Sequence, residues 1–322
     1  MPFYTPLRYP GGKRRLVPAI ARLLEQNGLR DIQYVEPYAG GASLALSLLF
    51  EEYASVIHIN DLSRPVYGFW DSVLNKTQEL CDRIQRTPVT MAEWERQRAV
   101  YDSRETADLF ELGFAALFLN RSNRSGIIGG GVIGGKNQTG AWAVDARFTK
   151  PELIRRIKKI SRYKNRIRLY NLDALELTNN LLPELGPNAF VFYDPPYIEK
   201  GKGLYLNEYT LDGHRALADK VMTLENPWVV TYDYDAAVRN SLYSSCHRLG
   251  YYLSYSAQER YSGKEVMFVS SSLNLPEVWE SASPFSMAAE RSEHPFYGAL
   301  ETMETDSLSH PEMERNPEAG AS

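Results

Sequence analysis

The tetrapeptide Asp194-Pro195-Pro196-Tyr197 directly follows the apolar run Ala189-Phe190-Val191-Phe192-Tyr193. Each proline lacks a backbone N–H and has its φ fixed, so neither continues a central strand. The Asp194 carboxylate and the neighbouring carbonyls are left at a strand's carboxyl end, where open α/β sheets bind ligands. An ionised carboxylate only accepts hydrogen bonds, so beside a free carbonyl it suits an exocyclic amine with two N–H donors. Tyr197 adds a flat face on which a base can stack. These four residues are therefore candidates for chemistry on the amino group of a nucleobase. The competing reading is a strand that ends in a Pro-Pro turn and does nothing more.

Two upstream constellations could serve the same cleft. Glu36 ends the apolar run from Ile32, and Gly40-Gly41 follows in a turn where backbone without a Cβ lets a ligand approach. A helix start behind that turn offers unpaired N–H groups. Asp61 closes the next apolar run, where a carboxylate receives ribose hydroxyls in nucleoside-binding α/β folds. At the amino terminus, Arg8-Tyr9-Pro10-Gly11-Gly12-Lys13 sets an aromatic ring, a glycine pair and a cation just before a helical pattern. Two glycine motifs lack the context that their chemistry needs. Gly129 to Gly134 fits G-x-G-x-x-G, but no strand precedes it. Gly130 to Lys136 fits G-x-x-x-x-G-K, but Asn137 replaces the Ser or Thr that would hold Mg²⁺. A nucleotide hydrolase using Lys136 is kept as the alternative from another class.

The elements that must position these residues read as an α/β sheet with an interruption. Strands are expected at Ile32–Tyr38 and Ser55–Asp61, with a helix over Ala42–Phe50 between them, a βαβ unit. From Leu62 to about Asn120 the apolar spacing is helical, as at Leu112, Ala115, Ala116 and Leu119. An irregular Gly/Asn/Ser stretch, Arg121–Phe148, is too long for an ordinary connection and so is expected to be functional. A basic helix near Pro151–Tyr163 precedes further strands at Ile167–Leu172, Ala189–Tyr193, Trp228–Tyr232, His247–Tyr255 and Glu265–Ser270.

Composition narrows the class. Of 322 residues, 43% are hydrophobic and 24% charged, as in an ordinary globular protein. The longest early apolar run, Leu44–Phe50, is too short to span a bilayer. Nothing in Met1–Arg15 suggests export, so a cytoplasmic protein is expected. Cys81 and Cys246 stand far apart and the five histidines are scattered, which argues against a disulfide framework or a metal site. The formal charge of −4 conceals a division. From Leu275 onward ten acidic residues face only Arg291 and Arg315, whereas Arg121–Arg168 holds thirteen Lys/Arg against Asp145 and Glu152. Such clustering is the electrostatic footprint of phosphate binding. It makes Arg121, Arg124, Lys136, Lys158 and Lys159 candidate DNA contacts. The acidic, aperiodic tail is expected to be disordered.

The chain resembles the Dam-like family of DNA adenine-N6 methyltransferases. The resemblance rests on Arg8-Tyr9-Pro10-Gly11-Gly12-Lys13, Val35-Glu36-Pro37-Tyr38-Ala39-Gly40-Gly41, Ile59-Asn60-Asp61 and Asp194-Pro195-Pro196-Tyr197, in that family's order, over roughly residues 4 to 272. It implies a Rossmann-like methyltransferase sheet (1–70 and 150–274), a mostly helical target-recognition insertion (71–149) and a separate tail (275–322). It also implies S-adenosylmethionine as methyl donor, with no metal. Tyr9 and Lys13 would contact that cofactor, as would Glu36 and Asp194, with the Gly40 turn against its methionine part and Asp61 on its ribose. The implied partner is double-stranded DNA, with a cognate restriction endonuclease acting separately or none, and a monomer or weak dimer is expected. Cytosine-N4 or RNA adenine methylation stays open, as does a non-catalytic DNA-binding module. Tyr9-Pro10 stands where relatives often have Trp-Ala, and Ser125–Gly131 departs from the GATC-specific pattern, so neither cofactor stacking nor a GATC site follows.

Overall fold

The computed structural model describes residues 2–9, 12–196, 210–233, 242–243, 246–256, 260–276 and 288–289. Tyr197, named above as the stacking residue, lies outside them, as do Pro10 and Gly11. Residues 1–290 form one compact unit, and 291–322 are assigned to a second, which falls outside the described residues.

Among the described residues eight strands, β1 (Ile32–Glu36), β2 (Ala54–Asn60), β3 (Ile167–Tyr170), β4 (Ala189–Tyr193), β5 (Trp228–Asp233), β6 (His247–Ser256), β7 (Arg260–Val269) and β8 (Ala288–Ala289), make one sheet ordered β3-β2-β1-β4-β5-β7-β6-β8. The first five run parallel, and β7 inserts antiparallel between β5 and β6. β1, β4 and β5 are buried along nearly their whole length, as strands covered on both faces must be. The direction of strand order reverses between β1 and β4, the point at which such sheets open a ligand crevice at their carboxyl ends.

Two apolar clusters cover the two faces. One joins α8 (Ala174–Leu185) and α9 (Leu211–Met222) to Val191, Val230 and Phe268. The other gathers α1 (Val17–Gln26) and α2 (Ser43–Phe50) with Phe190, Val229 and Met267. The segment between β2 and β3 adds α3 (Arg64–Asn75), α4 (Thr77–Arg86), α5 (Met91–Asp102), α6 (Leu109–Ser122) and α7 (Lys150–Ser161). Every residue from Leu112 to Asn120 is buried, so α6 has no solvent face, as an internal helix requires. Its residues join the same apolar cluster as α1 and α2. The helical segment and the sheet thus share a core.

The strands expected from sequence are present with ends moved by a residue or two, except that β7 starts five residues earlier than its apolar pattern. The stretch read as a structureless tail departs more clearly. Pro276 is buried, and Ala288–Ala289 pairs with Leu249–Gly250 as an edge strand. Two alanines leave no periodicity from which a strand could be read. Among the described residues no helix is long and apolar enough to cross a membrane.

Candidate active site

Parallel pairing sets the carboxyl ends of β1 and β4 side by side, with Val35 opposite Val191. Glu36 and Asp194 leave the sheet next to one another there. Tyr193 pairs with Val230, which brings the following residue, Thr231, alongside Asp194. The Thr231 hydroxyl donates to Asp194 Oδ1 at 2.7 Å. Lys13 Nζ lies 3.0 Å from the same oxygen and 3.7 Å from Glu265 Oε2. Lys13 is buried at 3% exposure, and it reaches this point from a 3₁₀ turn, Lys13–Leu16, that leads into α1. Sequence pointed Lys13 at a cofactor, and in the fold its ammonium is paired with Asp194.

Burial raises the pKa of Asp194, with the Lys13 charge and the Thr231 hydroxyl pulling the other way. Glu36, 4% exposed, is pushed well above the usual carboxylate range by burial and then by the Asp194 charge. The Ala45 N–H donates to it at 3.3 Å from the first turns of α2. Buried like-charged carboxylates oppose one another's ionisation, so this pocket favours an added positive charge.

The turn after β1 carries the second half of the site. Gly40 has φ +47°, and a Cβ there would lie 2.6 Å from the Tyr9 ring. Only glycine lets the ring and this left-handed turn coexist. Gly40 N–H donates to Asp61 Oδ2 and Ser63 N–H to Asp61 Oδ1, both at 2.9 Å. Trp70 Nε1 holds the Gly40 carbonyl at 2.9 Å. Asn60, just before Asp61, donates to the carbonyls of Pro37 and Leu172 and so ties three loops together. Burial raises Asp61 to about 6 against its two backbone donors. Each carboxylate oxygen keeps a free lone pair for a hydroxyl.

These residues line one cleft of about 1220 Å³, its open mouth included, with Tyr9, Lys13, Glu36, Gly40, Asp61 and Asp194 all on its wall. Pro196 also lines it, whereas Pro195 is buried beside it. Sequence reasoning missed Asp173, which lines the cleft from the N-cap of α8. It follows a strand end as Asp61 does, and that parallel was the available signal. Ile127, Ile128 and Gly129 of the glycine-rich stretch form the opposite lip. Asn120 fastens that lip to the amino terminus. It accepts from Arg8 N–H at 2.7 Å and donates to the carbonyls of Arg8 (3.0 Å) and Gly126 (2.7 Å). Gly126 packs so closely under Arg8 that a Cβ would fall 1.9 Å from the Arg8 carbonyl oxygen.

The basic residues divide into two groups. Arg124 and Lys136 are exposed on the loop that carries the lip. Arg121 is mostly buried beside Arg8, Arg147 and Arg156; burial and then these charges lower its pKa to about 10, and its Nε has no hydrogen-bond partner among the described residues. Lys158 and Lys159 sit in the last turn of α7. Lys159 Nζ lies 4.1 Å from the Tyr4 ring centroid and 4.3 Å from that of Phe50. Phe50 ends α2 just before β2 begins, so Lys159 lies at the amino end of that strand, the opposite end from the cleft. The sequence named all five as candidate DNA contacts, and the fold sets Lys159 at the end of β2 away from the cleft.

The motif Gly130–Lys136 has neither a strand before it nor a helix after it before Lys150, which removes the nucleotide-hydrolase alternative. Among the described residues no group of three His, Cys, Asp or Glu could hold a metal ion.

Residues 9–261 match the family model for the D12 class N6 adenine-specific DNA methyltransferase. Among solved structures the chain is similar to a conserved hypothetical protein of Streptococcus pyogenes, at 13% identity and TM-score 0.31 over 76% of this chain and 88% of that one. It is also similar to a protein of Escherichia coli named as methyltransferase yhhF, at 12% identity and TM-score 0.32 over 80% and 86%. Likeness that slight bears on neither fold nor function.

Proposed function

The chain belongs to the D12 class of N6 adenine-specific DNA methyltransferases, and from that premise we propose that its cleft takes S-adenosylmethionine as donor beside an extruded adenine. The observation that carries the proposal is the meeting of Asp194 with the Glu36, Gly40 and Asp61 lip at the reversal of strand order. The donor set fits such a cofactor. Glu36, Asp61, Asp173 and Asp194 line the cleft, and Lys13 is the only Lys or Arg among its described lining residues. Excess buried carboxylate favours a ligand that bears positive charge and hydroxyl donors. When bound, S-adenosylmethionine supplies a methyl group activated by its sulfonium.

The chain's own residues would then bind and orient. Asp61, already fixed by two backbone donors, accepts from ribose hydroxyls, and Glu36 faces the cationic part of the cofactor. Tyr9 and the Gly40 turn make the wall between them. A base amine inside a duplex cannot reach this cleft, so the adenine must be flipped out, at a cost of about a few kcal/mol. Asp194 and the Pro195 carbonyl accept the two N6 hydrogens, and Tyr197 stacks on the ring. A carboxylate whose pKa burial raises holds those protons more strongly. Catalysis is then largely positioning of the amine. Residues 71–149 supply target recognition, with Arg121, Arg124 and Lys136 nearest the cleft lip.

The test is to incubate the purified protein with duplex DNA and S-adenosylmethionine and identify the modified nucleoside by mass spectrometry. N6-methyladenine is expected, and N4-methylcytosine in its place would overturn the assignment of the acceptor. Asp194→Ala should abolish transfer while S-adenosylhomocysteine still binds in calorimetry. Undiminished methylation by that variant would remove Asp194 from the mechanism.

A further inference from the structure

Lys13 stands between two carboxylates of different origin. Asp194 comes from the end of β4, and Glu265, fully buried, comes from the middle of β7. Glu265 is itself held across the antiparallel pair, where Tyr251 of β6 lies opposite and donates its hydroxyl to Oε2 at 2.5 Å. A charged residue buried within a sheet is costly unless it is paired. The Tyr251 hydroxyl and the Lys13 ammonium both pair with it. The ammonium sits 3.0 Å from Asp194 and 3.7 Å from Glu265, so it is shared.

We propose that Glu265 is a positioning residue for methyl transfer, competing with Asp194 for the Lys13 ammonium and thereby setting how strongly the Asp194 carboxylate accepts protons. The proposal rests on the role given to Asp194 above. Among the described residues, the charged and titratable groups set against Asp194 are Lys13 from the amino-terminal turn, Glu36 and Tyr34 from β1 and Tyr251 from β6, with Glu265 of β7 on the other side of Lys13. Thr231 of β5 adds a neutral donor. Of these, Lys13 alone stabilises the ionised form by its charge. Taking away its competitor and taking away Lys13 itself must therefore move Asp194 in opposite directions.

The experiment follows the Asp194 carboxyl carbon by ¹³C NMR in the full-length protein labelled at aspartate, with Asp194→Asn identifying the resonance. Glu265→Gln keeps the shape and the hydrogen bond from Tyr251 but removes the charge. It should lower the titration midpoint by about one pH unit. Lys13→Gln should raise it by roughly 1–3 units, the range for loss of an opposite charge at contact distance. The acid limb of the pH–kcat profile should shift with each. Glu265→Asp should restore a midpoint between those of wild type and Glu265→Gln. A midpoint that Glu265→Gln leaves in place, or that both variants move the same way, would overturn the proposal even if activity falls, because a merely structural role lowers rate without moving a titration. The NMR readout needs no turnover. A protein that titrates as expected yet methylates no DNA would count against the proposed function and leave the charge competition standing.

Discussion

At the scale of single residues, the site depends on carboxylates whose pKa values burial has raised. Burial pushes Asp61 up to about 6, and only its ionised form presents both oxygens as acceptors to two hydroxyls. Cofactor affinity should therefore be full above that value and fall as pH drops through it. Calorimetry with S-adenosylhomocysteine from pH 5 to 8 checks this. Asp61→Asn should weaken binding about ten- to hundredfold, from the loss of charge-assisted bonds worth roughly 1.5–3 kcal/mol, and should abolish the pH step. An unchanged affinity would mean that Asp61 serves only the backbone of Gly40 and Ser63. Gly40 is as exacting. Gly40→Ala would meet the Tyr9 ring at 2.6 Å while holding φ +47°, so it should cost about 1–3 kcal/mol of stability and displace the ring. Thermal unfolding with and without cofactor analogue measures both effects.

At the scale of elements, the amino-terminal segment, the end of α6 and the glycine-rich loop behave as one clamp. Asn120→Ala would leave the Arg8 N–H and the carbonyls of Arg8 and Gly126 short of partners. Loss of a buried partner costs about 1–3 kcal/mol. The cost should appear in thermal unfolding, together with faster hydrogen exchange over residues 124–131. The division of basic residues has its own consequence. Removing a cation that neutralises one phosphate should lower the salt slope of DNA binding by about 0.9. Arg124→Ala and Lys136→Ala should each do so. Lys158→Ala and Lys159→Ala should leave the slope unchanged, since α7 carries them to the opposite end of the sheet from the cleft. Equal slope changes for both pairs would show that DNA also lies along α7. The sequence could locate the basic cluster, but its spacing in the chain says nothing of which end of a helix faces DNA.

At the scale of the whole molecule, the sheet and the helices between β2 and β3 share one core, so the helical segment should not fold when excised. The sheet also extends past the point where the sequence loses pattern. Ala288–Ala289 caps the edge of β6. Ending the chain at residue 290 keeps that edge pair. Ending it at 276 exposes the edge of β6, and an uncovered edge strand promotes association. Light scattering of the two truncations separates these outcomes. If both stay equally monodisperse, β8 contributes nothing.

Much of this protein is legible along the chain because it is local. Apolar runs that end in Glu36, Asp61 and Asp194 name the strands and their ligand-facing ends, since a strand's period and a proline's missing donor act over a few residues. The Gly40 turn is legible for the same reason, because a left-handed turn selects its residue wherever it occurs. What only the tertiary structure decided involves partners far apart in sequence. The pairing of Lys13 with Asp194 and Glu265 requires an amino-terminal turn to meet β4 and β7. Thr231 reaches Asp194 only through the β4–β5 register. The closeness of Arg8 to Gly126 depends on Asn120, more than a hundred residues from Arg8. Composition and periodicity record which residues are buried, whereas strand order and packing decide which buried charges share a counter-ion.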